Sequence, residues 1–131
     1  MIFVDSNIPM YLVGSEHPNK GASRRLLERA IAAGEILVTD AEVLQEILHR
    51  YAAIGRPDAI EPASRALLDV VDVVYPVERI DVEHARPLVT GAAMSARDAI
   101  HVAIMRRHGV TQILTFDLGF DGVDGIERVS E

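Results

Sequence analysis

Met1-Ile2-Phe3-Val4-Asp5-Ser6-Asn7 opens the chain, and its reading decides the fold. Ile2, Phe3 and Val4 form an apolar, β-prone run with no polar alternation, the pattern of a strand covered on both faces. Asp5 follows at once, then two small polar residues, then Ile8-Pro9, where a new element begins. A carboxylate at the carboxyl end of a buried parallel strand stands where open α/β sheets hold their ligands. An Asp there equally suits the cap of a helix starting near Ile8-Pro9. On Asp5 alone the two readings balance, and the rest of the chain decides between them.

Working outward, Ile8–Gly14 reads as a short helix or turn and Ser15–Asn19 as a polar loop. Ala22–Ala33 has the helical stripe Leu26, Leu27, Ala30 and Ile31, and Gly34 is a natural stop. Ile36-Leu37-Val38 is a second strand. Thr39 begins a helix to about Ile54, with Glu42 at capping-box spacing and Leu44, Ile47, Leu48 and Tyr51 on one face. Asp58–Asp69 is a further helix and Val73-Val74-Tyr75 a third strand. Asp81 suits the cap of a helix over Val82–Thr90, in which Pro87 marks a kink or the true start, and Gly91 breaks the pattern. Ser95–His108 is a clear helix, with Ile100, Ala103 and Ile104 inward and Arg106-Arg107-His108 suited to its carboxyl end. Ile113-Leu114-Thr115 is a fourth strand, Gly119–Gly125 a loop, and Ile126–Val129 a short last strand. Strands alternating with helices predict an α/β fold with a parallel sheet covered on both faces.

The 131 residues suit one domain, 1–131, with a real core. Apolar content of 49% and charged content of 25% lie near globular averages, which argues against disorder. No apolar run reaches the roughly 18 residues of a membrane span, and the start lacks the pattern of a signal peptide. Without Cys, disulfides and thiolate metal sites are excluded, and a reducing cytoplasm is the simplest home. A net charge of −7 argues against coating nucleic acid by bulk electrostatics, but not against local contact through metal ions and a few Arg.

Four acids fall at functional ends of elements: Asp5 after the first strand, Glu46 on the helix after the second, Asp98 at the start of the late helix, and Asp117 after the fourth strand. Strand carboxyl ends and the following helix amino ends share one edge of a parallel sheet, so Asp5, Asp98 and Asp117 can converge there. Glu46 lies farther into its helix. Clustered carboxylates repel unless they take up protons or a cation. Mg²⁺ and Mn²⁺ prefer oxygen ligands and keep water positions open, so they can activate water and orient a phosphodiester. Ser6, Asn7 and Thr115 are placed to hold waters or aim the carboxylates.

Each acid also has a plain structural reading. Asp98 follows Ser95 at capping spacing, Glu46 pairs with Arg50 at i+4, and Asp117 and Asp121 suit turns beside Gly119 and Gly122. Asp40, Asp58 and Asp81 read as helix starts. His101 and His108 lack a His or Cys partner at metal spacing and read as surface or core histidines.

Met1–Asn7, Leu44-Gln45-Glu46-Ile47-Leu48, Ser95-Ala96-Arg97-Asp98-Ala99-Ile100-His101 and Ile113-Leu114-Thr115-Phe116-Asp117 together resemble the ordered motifs of the PIN domain. In length and order the chain resembles VapC-type toxins, the ribonuclease halves of toxin–antitoxin pairs. The resemblance implies a three-layer α/β/α sandwich with a mainly parallel sheet and a Mg²⁺- or Mn²⁺-dependent endoribonuclease, with tRNA or rRNA as substrate. It also implies a homodimer and a cognate antitoxin whose tail fills the active-site groove. By that match Asp5 and Asp98 are the main metal ligands and Asp117 completes the site. Glu46 binds metal through water or positions the attacking water. Thr115 matches a small hydroxyl residue two positions before the last acid, and Asp121 is an accessory acid. Met94 and Pro87 depart mildly from the pattern. Of the arginines, Arg97, beside Asp98, is the candidate RNA contact.

Rival α/β readings fare worse. A receiver domain needs a late Lys, and Lys20 is the only lysine. A haloacid-dehalogenase-like phosphatase needs an Asp where Asn7 stands, and a nucleotide-binding fold needs a Gly-rich loop after the first strand. A catalytically silent PIN-like module that binds RNA or protein is the non-enzyme alternative. Retention of all four acids argues against it.

Overall fold

The structure is a computed structural model that describes residues 1–131. Five strands, β1 (Ile2–Val4), β2 (Leu37–Asp40), β3 (Val73–Tyr75), β4 (Gln112–Leu114) and β5 (Glu127–Val129), pair in the spatial order β3-β2-β1-β4-β5. Every pairing is parallel; Phe3 lies opposite Val38 on one side and Ile113 on the other. The apolar run that opens the chain is thus the middle strand, and its three residues are 4% exposed or less. All-parallel strands need cover on both faces.

Helices α1 (Asn7–Val13), α2 (Pro18–Ala32), α3 (Ala41–Ala53) and α4 (Ile60–Leu68) link β1 to β2 to β3, while α5 (Arg79–Ala92) and α6 (Ala96–Arg107) link β3 to β4. The chain moves outward through β2 and β3, then returns across β1. Right-handed crossovers in opposite directions place the two helix groups on opposite faces. Accordingly α1 packs on α2 and α4, and α5 packs on α6. The result is the expected three-layer α/β/α sandwich. Its main core joins Phe3, Val4, Ile8, Leu27, Val38, Ile47, Leu67, Val102, Met105, Ile113 and Phe120; Ala85, Ala99 and Ala103 form a small second cluster between α5 and α6.

Boundaries differ from expectation where side chains cap helices. His17, read as loop, caps α2: its Nδ1 accepts from the Asn19 N–H at 3.0 Å, and Pro18 occupies the first turn, where it needs no donor. Asp40, not Thr39, caps α3 by accepting from the Val43 N–H at 2.8 Å. Thr39 stays in β2 and donates its hydroxyl to the Val4 carbonyl. Helix α5 starts earlier, capped by Glu78 in a reciprocal box with Asp81, and it runs through both Pro87 and Gly91. The stop is Ala93, in the left-handed region at φ 56°. The Asp58–Asp69 helix resolves into a 3₁₀ turn, Pro57–Ala59, followed by α4. A second 3₁₀ turn, Leu118–Phe120, replaces the start of the Gly119–Gly125 loop.

The strand order reverses between β1 and β4. Open sheets bind ligands at such a reversal, beyond the strand carboxyl ends. Asp5, Thr115 and Asp117 lie at that point.

Candidate active site

Asp5 is 3% exposed and sits one residue past β1, tied to β4 by its backbone N–H on the Leu114 carbonyl. Both of its carboxylate oxygens are held. Oδ1 accepts from the Ser6 N–H at 2.7 Å; Oδ2 accepts from the Thr115 hydroxyl at 2.7 Å and from the Asn7 amide at 3.3 Å. The Thr115 hydroxyl in turn accepts from Asn7 Nδ2 and from the Asp117 N–H, and Asn7 Oδ1 accepts from the Phe116 N–H. One hydroxyl and one amide therefore lock the ends of β1 and β4 together and fix the direction of Asp5. Expected to hold waters or aim the carboxylates, Ser6, Asn7 and Thr115 touch the acids directly.

Glu46 arrives from α3. Ser6 donates its hydroxyl to Oε1 at 2.8 Å, and Arg50 stands 3.8 Å from the same oxygen. The i+4 pair is real, but the carboxylate also faces inward. Beyond it lies His101, fully buried, with Nδ1 2.8 Å from Asp40 Oδ2 and Nε2 3.7 Å from Glu46 Oε2 and 3.9 Å from Asp5 Oδ1. Donor atoms of Asp5, Glu46 and His101 all lie within 4.8 Å of one another, a spacing able to hold a metal ion. Asp98 and Asp117 are outside that tight group. With Glu46, Ser95, Ala96 and Arg97 they line a cleft of about 500 Å³ that opens above it.

Charges in this cleft are strongly coupled. Burial, then repulsion from Asp5 and Asp117, pushes the Asp98 carboxyl up to about 6. Burial also raises Asp5, against the pull of His101 and the Thr115 hydroxyl. At Glu46, burial is outweighed by His101 and Ser6, and its carboxyl is held below the usual range. Burial opposes a charge on His101, yet Asp40, Glu46 and Asp5 raise it well above an ordinary histidine. Too many negative charges share too little water, which is the condition a bound cation relieves. The donor set, oxygen-rich with one imidazole, fits a divalent ion.

The family model described as PIN domain matches residues 2–126. A VapC ribonuclease of Mycobacterium bovis is 59% identical over 131 residues, covering 99% of this chain and all of the relative. The chain is a PIN domain of the VapC ribonuclease family. Ribonuclease VapC23 of Mycobacterium tuberculosis is 42% identical over 118 residues, 89% of this chain and 93% of its own. Among solved structures, VapC20 of Mycobacterium tuberculosis, described as a sarcin–ricin loop cleaving toxin, superposes with a TM-score of 0.81 over the full length of both chains. At 24% identity that likeness speaks for the fold.

This PIN domain places the remaining candidates unevenly. The Asp98 N–H is capped by Ser95 Oγ at 3.2 Å, as the spacing predicts, and its side chain also lines the cleft. Asp117 is exposed and also turns on the Gly119 N–H. Asp121 is spent on a two-point ion pair with Arg128, which also reaches the Thr115 carbonyl, so it meets the site only through that arginine. Arg97 lies in the cleft wall, 3.6 Å from Glu42. His108 is half-buried and stacks on Tyr75, as a core histidine does. Sequence reasoning missed His101 as part of the site. Its signal was the i, i+3 spacing from Asp98 on one helix face; its partner Asp40 is 61 residues away.

Proposed function

We propose that this PIN domain, residues 1–131, is a Mg²⁺- or Mn²⁺-dependent endoribonuclease and the toxin of a toxin–antitoxin pair. The observation that carries the reading is the convergence of Asp5, Glu46, Asp98 and Asp117 on one cleft at the reversal between β1 and β4. Asp5, Asp98 and Asp117 hold the metal, Glu46 orients the attacking water, and Ser6, Asn7 and Thr115 keep the carboxylates aimed. A divalent ion there supplies the charge that acidifies water and offsets what gathers on a phosphodiester during in-line attack. Arg97 takes a neighbouring phosphate, and with a net charge of −7 the chain depends on such local contacts to hold RNA.

Two partners follow. A VapBC2 complex of Rickettsia felis, solved with a fragment of its promoter DNA, shares the fold with a TM-score of 0.74 at 14% identity, which supports an antitoxin as partner. A second copy of the chain is proposed to pack on α5, where Ile80, Val82 and Val89 are all at least 38% exposed. No helix is long and apolar enough to cross a membrane, and we place the activity in the cytoplasm, with cellular RNA. Expression without an antitoxin, followed by mapping of new RNA 5′ ends, tests the reading. New ends at discrete sites support it. RNA retained on the protein without new ends supports the silent binding module instead.

A further inference from the structure

His101 lies at the bottom of the acid cleft, and neither the motif match nor the nuclease reading gives it a task. It is fully buried, and its Nε2 has no hydrogen-bond partner. A polar nitrogen shut away from water without a partner is uncommon and calls for a cause. This one faces Glu46 Oε2 at 3.7 Å and Asp5 Oδ1 at 3.9 Å.

The other side of the ring explains the orientation. Asp40 is immobilised as the cap of α3, with Oδ1 on the Val43 N–H, and that leaves Oδ2 for His101 Nδ1 at 2.8 Å. Metal-bound histidines almost always donate their second ring N–H to a carboxylate or carbonyl, which fixes the tautomer and turns the other nitrogen to the ion. With Nδ1–H committed to Asp40, Nε2 is the metal-facing atom. Ligand atoms each about 2.1 Å from one ion stand roughly 3–4 Å apart, and the two separations fall in that range. Glu46, with 13% of its side chain exposed, is the way in from the cleft.

We propose that His101, backed by Asp40, is a nitrogen ligand for a divalent cation shared with Asp5 and Glu46, and that this position favours a first-row transition ion over Mg²⁺. The proposal rests on the metal-dependent reading above; it adds His101 and a selectivity to it, and gives Glu46 a direct bond to the ion besides its hold on water. Imidazole nitrogen suits transition ions, whereas Mg²⁺ keeps to oxygen. The ion takes the place of the Nε2 proton, which leaves to solvent.

Electron spin-echo modulation of the full chain loaded with one equivalent of Mn²⁺ tests this directly. The expected spectrum carries coupling from one imidazole ¹⁴N, changed to ¹⁵N by labelled histidine and lost in His101→Gln. Because that variant could fail to fold, a second chain with His17→Gln, His49→Gln and His84→Gln removes the exposed imidazoles and is expected to keep the coupling. Competition is expected to show Mn²⁺ bound tighter than Mg²⁺ by about 10-fold or more, the scale of a well-set ligand shell. Mn²⁺ bound without nitrogen coupling, or coupling lost in the triple variant, overturns the proposal and leaves the nuclease reading standing; His101 is then a buried cation bridging carboxylates. No bound Mn²⁺ at all overturns both.

Discussion

Asp98 is a side chain at odds with its surroundings. Its carboxyl titrates at about 6, above the ordinary value, through burial and the neighbouring Asp5 and Asp117. A raised carboxyl means that the folded chain holds a proton which the unfolded chain has released. The contribution to stability is therefore full below the ordinary value and lost as pH rises through about 6. Asp98→Asn is expected to raise the melting temperature of the metal-free protein at neutral pH. The gain should fade near about pH 4, where the reference carboxyl is also protonated. Thermal scans across pH check this, and a lower melting temperature at neutral pH would contradict it. Thr115 offers the complementary case. Its hydroxyl meets Asp5, Asn7 and the Asp117 N–H, so Thr115→Val keeps the shape and loses all three bonds. Expected is a fall of about 10- to 100-fold in metal affinity or cleavage, with the fold intact by circular dichroism. Asp5 and Thr115 could be placed at strand ends from the sequence, and the other acids and the motif order gave them their roles. The Asp40–His101 contact could not, because only the folded sheet brings α3 and α6 edge to edge.

At the scale of elements, what could be read was whatever periodicity and strand composition carry. All five strands and the α3 and α6 helices are where their patterns put them. Starts and stops were harder, since they depend on side chains finding particular N–H groups: His17 on Asn19, Asp40 on Val43, Glu78 on Asp81. Pro87 does not end α5, because both Pro87 and Glu83, the residue four before it, lie on the exposed side, where water replaces the missing bond. Asp81, read as a cap, accepts from the Glu78 N–H at 2.8 Å in the capping box and also forms a two-point pair with Arg107 at 2.7 and 2.8 Å, which pins α5 to α6. Between those helices Ala93 holds a φ of 56°, a conformation costly to any residue with a Cβ. Ala93→Gly is expected to stabilise the chain by about 0.5–1 kcal/mol after the entropy of glycine is counted. Chemical denaturation measures it, and an unchanged or lower midpoint would refute the account of this turn.

The whole molecule carries a surplus of acid, and its most crowded acids share one cleft. Folding brings them together against their mutual repulsion, so a cation that binds only the folded chain should stabilise it. At a concentration 100 times its dissociation constant that gain is about 2.7 kcal/mol. Mn²⁺ or Mg²⁺ is therefore expected to raise the melting temperature of wild type by several degrees and that of Asp5→Asn by little. That the sheet is parallel was legible in the alternation of strands and helices, and it brings Asp5, Asp98 and Asp117 to one edge; the strand order, reversing beside β1, was not, because periodicity does not say which strands pair. Less legible was that Asp121 would be taken by Arg128, since a turn residue and a strand residue seven apart meet only once the β4–β5 connection has folded. The most direct measurement is cleavage of total cellular RNA by the purified chain, free of any antitoxin, with Mn²⁺, Mg²⁺ or EDTA, beside Asp98→Asn. Discrete fragments are expected with metal, none with EDTA, and a fall of about 100-fold or more in Asp98→Asn, the several kcal/mol that a metal site contributes. Equal fragments from wild type and Asp98→Asn, or cleavage that persists in EDTA, would contradict a metal-dependent nuclease built on these acids.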